Sequence, residues 1–172
     1  MLKVIGAVLV IAGAVGISFS YRQDMQNYLN NTRCFFIILE LLESEIQYSK
    51  ASLPEACRMV AQRVEEPLCE GLMNVWKGMC ENRGLTFSIV WRQEMGKCLN
   101  NLPAGKKEKE QFMQFADSSG FADNRMQLRA MERCREILGQ SIKKQEEAIE
   151  NKTKVVMSMG LIGGLFLTIV LL

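Results

Sequence analysis

The chain has 172 residues, 48% hydrophobic, 23% charged and 8% aromatic, with 21 basic against 19 acidic side chains and a formal charge of +2. So even a balance supplies no basic field to release phosphate counterions, which excludes a nucleic-acid binder. The absence of histidine excludes His-dependent triads, Cys–His dyads and every His-containing zinc site.

Residues 4–19 read VIGAVLVIAGAVGISF without a charge. With their neighbours they make about twenty residues, roughly 30 Å of helix, the thickness of a hydrocarbon core. A transmembrane helix is expected over 2–21. Gly6, Gly13 and Ser20 recur every seven positions with Gly16 on the same side, the pattern of a helix-packing seam. The rival reading is a cleaved signal peptide, with Lys3 as its charged region and Ala14-Val15-Gly16 as its cleavage site. Residues 155–172 read VVMSMGLIGGLFLTIVLL, again uncharged, and a second transmembrane helix is expected there. Its Gly160-x-x-x-Gly164 is either a close-approach motif or a pair of chance glycines. A buried core helix suits neither run, since both are terminal and lack a polar face.

Arg22, Arg33, Lys143, Lys144, Lys152 and Lys154 flank the two runs on the inner side, and Lys3 is the only basic side chain beyond them. The basic bias puts residues 22–154 in the cytoplasm and both termini across the membrane.

Between the runs the hydrophobic period is helical throughout, and no stretch alternates as a strand does. Residues 22–32 are polar and either extend the first helix or kink it at Asn30-Asn31. An apolar helix over about 33–49 follows, ending before Ala51. Ser52-Leu53-Pro54-Glu55 reads as a capping box with proline in the first turn. The next helix puts Leu53, Ala56, Cys57, Val60, Ala61 and Val64 on one face until Pro67 interrupts it. A third carries Leu68, Leu72, Val75, Trp76 and Met79, with Gly84 as a left-handed C-cap. Phe87, Val90, Trp91 and Cys98 mark a fourth, closed by Leu102-Pro103-Ala104-Gly105. A fifth spans 106–118 and buries Phe112, Phe115 and Ala116, with Gly120 ending it. Asp123 is a good N-cap for the last, whose inner stripe is Met131, Cys134, Leu138 and Ile142. Nothing breaks that helix before Leu172. The expected fold is all-α: an antiparallel bundle of about six helices over 22–154, flanked by transmembrane helices over 2–21 and 155–172.

The six cysteines, at 34, 57, 69, 80, 98 and 134, form no C-x-x-C pair. Cys34, Cys57, Cys98 and Cys134 fall on apolar faces, where a free thiol acts as a small hydrophobe; reduced thiols also suit the cytoplasm. Glu45 stands out on a wheel centred on Phe35. It lies inside an apolar arc of Ile37, Ile38, Leu39, Leu41, Leu42, Ile46 and Tyr48, while Glu40, Glu43, Ser44 and Gln47 share the opposite face. A carboxylate there needs a cation, hydrogen-bond donors or a raised pKa. It pairs with an arginine of another helix and fixes register, sits at a subunit contact of a homo-oligomer, or reaches solvent at the rim. Arg125, Arg129 and Arg133 form a ridge at four-residue spacing. It reads either as a docking strip for an acidic partner or as a solvated face partly neutralised by Glu132 and Glu136. The sequons at Asn30 and Asn151 are chance matches in a cytoplasmic domain.

Met1-Leu2-Lys3-x-x-Gly6-Ala7 leads into the first run, followed by Leu42-Glu43-Ser44-Glu45-Ile46-Gln47-Tyr48-Ser49 and Leu53-Pro54-Glu55-Ala56. Later come Phe115, Gly120, Asp123, Gln127-Leu128 and the tail Gly160-x-x-Gly163-Gly164. In this order the chain resembles the stage III sporulation protein AB family of endospore-forming bacteria along essentially its whole length; the cysteines are no part of that pattern. The resemblance implies a component of the assembly that spans the membranes between mother cell and forespore during engulfment. It also implies a soluble domain similar to the cytoplasmic domain of the inner-membrane platform proteins of type II secretion and type IV pilus machines. The implied partners are a cytoplasmic secretion-type ATPase, stage III sporulation protein AA, and other membrane components of the assembly. No cofactor or catalytic residue comes with the resemblance. Platform proteins usually carry tandem helical domains and more spans, whereas one domain and two spans are expected here.

Three readings follow. The first is a non-enzymatic platform in the mother-cell membrane around the forespore, its bundle facing the cytoplasm. The second is an exported, tail-anchored, disulfide-stabilised binding domain. The third, a thiol-dependent membrane enzyme, has no identifiable base.

Overall fold

A computed structural model describes the backbone of residues 2–81, 84–120 and 124–171, and the side chains of 22–81, 84–117, 125–152 and 155. The elements in chain order are α1 (Leu2–Tyr48), α2 (Leu53–Ala61), α3 (Leu68–Glu81), α4 (Phe87–Asn100), α5 (Lys106–Gln114), a 3-10 turn (Phe115–Gly120) and α6 (Asn124–Leu171). No strand occurs among the described residues. Within these residues no helix is long and apolar enough to cross a membrane. The expected spans over 2–21 and 155–172, with Gly6, Gly13, Gly16, Gly160 and Gly164, lie, Val155 apart, outside the residues whose side chains are described, as does the Asp123 cap.

Of the two alternatives for residues 22–32, extension of the first helix holds and the kink at Asn30-Asn31 does not form: α1 runs unbroken. No glycine or proline occurs between Ile17 and Tyr48. The polar side chains that could unwind the helix are engaged elsewhere: Thr32 is buried and donates its hydroxyl to the Tyr28 carbonyl at 2.9 Å, while Asn31 donates to the Pro103 carbonyl at 2.7 Å. α1 ends where Lys50 takes a left-handed φ of 54°. The amides of Ser49 and Ala51 both donate to the Glu45 carbonyl, at 3.1 and 3.3 Å. This is the closure usually made by glycine; here lysine makes it.

Two expected caps take another form. Ser52 has the extended backbone of an N-cap but forms no side-chain cap bond. Glu55 instead accepts from Arg58 one turn along, at 2.9 and 2.5 Å, because a guanidinium outcompetes a backbone amide for a carboxylate. Gly84 is not left-handed; no described glycine has positive φ.

α1 and α6 pack antiparallel as the two long staves, with the short helices against them. The core is aromatic where α1, α4 and α5 meet. Phe35 stacks on Phe112 with centroids 4.7 Å apart, and Trp91 stands 5.3 Å from Phe112 and edge-on to Phe115 at 5.0 Å. The chain tightens from α5 into the 3-10 turn at Phe115, where the expected fifth helix would have continued, and Phe115 and Ala116 are both buried. Met131, Cys134 and Leu138 of α6 complete the core, whereas Ile142 is only half-buried. α3 and α4 approach closely at Gly71, where a Cβ would stand 2.8 Å from Met95 Sδ and 3.2 Å from Cys98 Cβ. Ile37 and Tyr48, expected in the apolar arc, are 46% and 78% exposed. α2 and α6 occupy two sides of α1 and leave the arc between them open.

Candidate functional site

Charged side chains fix how α1 meets its neighbours. Glu45, 5% exposed, pairs with Arg63 Nη2 at 2.8 Å and accepts from Ser49 Oγ at 2.7 Å. Arg63 lies just beyond α2 rather than within a helix, and its side chain remains 51% exposed. Of the three sequence alternatives, the structure places Glu45 beside an arginine of another segment.

On the opposite flank, Arg135 of α6 reaches both Glu43 Oε2 at 3.4 Å and Glu40 Oε1 at 3.6 Å. Its guanidinium lies 5.8 Å from the centre of the Phe36 ring. Glu43 Oε2 is buried and accepts no hydrogen bond, so Coulomb attraction to Arg135 is its main compensation. Further along the same pair of helices Arg33 donates to Glu146 at 2.5 Å. Both contacts require antiparallel α1 and α6 in one register. Beyond Arg33 the helices part into an open groove of about 650 Å³ lined by Arg22, Gln26, Leu29, Arg33, Glu146 and Ile149, among others. On α4, Arg92 Nε holds Asp117 of the 3-10 turn at 2.9 Å.

Sequence reasoning passed over Arg63, Arg135 and Arg92. Arg135 carried one usable signal, since it stands at i+2 from Arg133 and so turns off the exposed ridge. Arg125, Arg129 and Arg133 are all exposed on the outer face of α6. Neither Arg129 nor Arg133 forms an ion pair among the described residues, so Glu132 and Glu136 do not neutralise them as paired partners. Glu45 and the arginine ridge therefore do not converge on one site.

All six cysteines are free. Burial pushes the Cys57 thiol up strongly and raises Cys134 to about 12. Burial, with Glu70 and Glu66 nearby, raises Cys98 to about 11. Cys134 donates to the Gln111 carbonyl and Cys98 to the Pro67 carbonyl, each at 3.1 Å. These thiols stay protonated and belong to the packing. Cys34, expected on an apolar face, is exposed, as is Cys80. Among the described residues no three Cys, Asp or Glu side chains cluster to hold a metal ion.

The architecture defines a helical bundle built on two long antiparallel staves joined by charge staples. The family model for stage III sporulation protein AB matches residues 3–172, and the chain belongs to that family of sporulation proteins. Among relatives, the stage III sporulation protein AB of Bacillus subtilis (strain 168) is 24% identical over 172 residues, covering all of both chains. A solved structure of a stage III sporulation protein AB, SpoIIIAB, superposes with a TM-score of 0.64 at 22% identity, over 72% of this chain and 97% of that one. That likeness concerns the fold.

Proposed function

We propose that the protein is a non-enzymatic membrane platform in sporulation, a bundle held at one membrane face that receives a cytoplasmic secretion-type ATPase. One observation carries this reading. The register set by Arg33–Glu146 and by Arg135 on Glu40 and Glu43 brings residue 22 of α1 and residue 155 of α6 to the same end of the bundle. The two uncharged runs, 4–19 and 155–172, begin at that shared end, and a membrane there accepts both helices from one side.

The arginine ridge lies toward the other end of α6. Arg133 is 22 residues from Val155, about 33 Å along a helix, so an acidic partner docks there clear of lipid headgroups. Exposed Met126 stands between Arg125 and Arg129 in the chain, on the same outer side. Residues 22–154 face the cytoplasm by the basic bias of the flanks, and six free thiols accord with a reducing compartment.

The test is copurification of the full chain with the stage III sporulation protein AA of its own operon from membranes. Alongside it, exposed Cys80 is labelled with an impermeant thiol reagent on intact and permeabilised cells. The expected results are co-elution that is lost in the Arg125→Glu/Arg129→Glu/Arg133→Glu variant, and labelling only after permeabilisation. Labelling of intact cells would place the bundle outside and end the ATPase reading.

A further inference from the structure

Among the described residues α1 carries a face that its neighbours cover only in part: Leu41 packs on the core and Glu65 stands near Cys34, while Ile37 and Tyr48 lie open. Asn27, Cys34, Leu41 and Tyr48 follow one another at seven-residue spacing, and Gln23, Asn30, Ile37 and Ser44 form a second such series between them. The apolar members, Cys34, Ile37, Leu41 and Tyr48, fall on core positions of a coiled-coil heptad, and Gln23, Asn27, Asn30 and Ser44 are polar stations along it. Among these residues Ile37 is 46% and Tyr48 78% exposed. Cys34, Gln23, Asn27 and Asn30 are exposed, and Leu41 and Ser44 half-buried. The seam runs between the two packed flanks of α1, with Arg33, Phe36, Glu40 and Glu43 turned to α6 on one side and Glu45 turned to Arg63 on the other.

We propose that α1 pairs in parallel with α1 of a second copy of this chain along that seam. The proposal rests on the membrane reading above in one respect. Copies anchored in one membrane enter it with the same sense, so their α1 helices meet in parallel about a two-fold axis normal to it.

Three observations favour a second copy over another occupant. First, the seven-residue series does not stop at the bundle. It continues through Ser20, Gly13 and Gly6, with Gly16 in the interleaved series, and small residues at such spacing let helices approach in lipid. The same spacing therefore recurs in the sequence of a helix that extends without break from Leu2 to Tyr48. Second, the flanks are complementary to themselves. In a parallel pair, position 40 of one copy faces position 45 of the other, where half-exposed Arg63 rests on Glu45; Glu40, itself 54% exposed, meets that arginine. Third, the polar stations Asn27 and Asn30 sit between the apolar upper part and the small-residue lower part. Asparagine inside a seam costs stability but fixes register and copy number.

The native Cys34 thiol provides the test. A parallel pair in register sets two Cys34 side chains opposite each other. The full chain in isolated membranes is oxidised with copper phenanthroline and run on a non-reducing gel, for the native protein and for Cys34→Ser, Cys80→Ser and Ile37→Glu. We expect a reducible dimer that disappears in Cys34→Ser, persists in Cys80→Ser, and falls by about tenfold or more in Ile37→Glu. Ile37→Glu alters a half-exposed position and should leave the unfolding midpoint of the bundle unchanged, which separates loss of pairing from loss of fold. A dimer that survives Cys34→Ser, no Cys34-linked dimer, or crosslinks only to a larger species would each overturn the pairing. Carbonate extraction of the same membranes separates the two readings. A chain that stays in the pellet without a Cys34 dimer refutes the pairing alone. A chain released to the supernatant refutes the membrane reading, and a Cys34 dimer found there still establishes the seam.

Discussion

The Glu45–Arg63 pair should respond unequally to loss of its two members. Glu45 is nearly enclosed, with a side-chain exposure of 6%, whereas Arg63 is 51% exposed. Arg63→Ala strands a buried carboxylate whose remaining side-chain donor is Ser49 Oγ. Breaking a fully buried pair costs about 3–5 kcal/mol and an exposed pair contributes about 0–1 kcal/mol. With one member enclosed and the other in water, we expect about 2–3 kcal/mol for Arg63→Ala. Glu45→Gln keeps the shape and the bond from Ser49, and releases an arginine that already touches solvent. It should cost about 1 kcal/mol, the net worth of one hydrogen bond. Once Glu45 is neutral Arg63 has little left to compensate, so the double variant should lose about as much as Glu45→Gln alone, leaving a coupling of about 2 kcal/mol. The assay is urea unfolding of the detergent-solubilised full chain followed by tryptophan fluorescence, since Trp76 and Trp91 both lie in the bundle. Equal losses in the single variants, or a double variant that loses their sum, would refute the reasoning.

Three further outcomes follow from the packing and the thiols. Gly71→Ala gains about 1 kcal/mol of helix propensity, yet its Cβ would push on the Cys98 Cβ at 3.2 Å as well as on the mobile Met95 sulfur. A net loss of about 1–2 kcal/mol is expected, and a raised urea midpoint would show that α3 and α4 can part cheaply. Lys50→Gly relieves the left-handed backbone that closes α1 and should stabilise by about 0.5–1 kcal/mol, the strain released less the added freedom of the unfolded chain; an unchanged or lower melting point would count against it. For the thiols, Cys98 and Cys134 are raised from 9.0 to about 11 and about 12. Across that window the folded state keeps protons that the unfolded state has released, so this contribution is whole below about pH 9 and is lost as pH rises. The urea midpoint should drop as pH rises from about 9 to about 11, less steeply in Cys134→Ala, and a drop of equal slope in that variant would remove Cys134 as a cause.

Much of the helix order was readable because the chain punctuates itself. Pro54, Pro67 and Pro103 stand at or beside the breaks that bound α2, α3 and α4, and period 3.6 selects the buried sides of the short helices. What stayed hidden needed knowledge of neighbours. Glu45 was visible as a charge inside an apolar arc, but Arg63 was not visible as its partner, because it sits in an irregular segment where no periodicity points. Arg135 reads locally as one more basic residue near an exposed ridge; only the antiparallel return of α6 brings it to Glu40 and Glu43. The wheel likewise could not tell which part of the apolar arc of α1 would be covered. Ile37 is as apolar as Ile38, yet one is 46% exposed and the other buried, and the difference lies in where α2 and α6 stand.

The staples between α1 and α6 have a consequence for the proposed platform. Arg33–Glu146 and the Arg135 contacts lie eleven residues apart on α6, about 16 Å along its axis. Sliding α6 by one turn, about 5.4 Å, would break both at once and leave the buried Glu43 oxygen, which accepts no hydrogen bond, without its cation. Phe36 is also seated against Gly139, where a Cβ would make ordinary contact with its ring at 3.5 Å. The two staves therefore resist relative sliding and move as one body. On the platform reading, a push delivered at Arg125–Arg133 passes into α6 and, through these contacts, into α1 before either helix reaches the membrane. Arg135→Ala tests this separation of roles. It should weaken the bundle by about 1–2 kcal/mol by orphaning Glu43, yet leave ATPase copurification intact, because Arg135 is turned away from the exposed ridge. Loss of copurification with an unchanged urea midpoint would mean that Arg135 faces the partner and that the staple assignment is wrong.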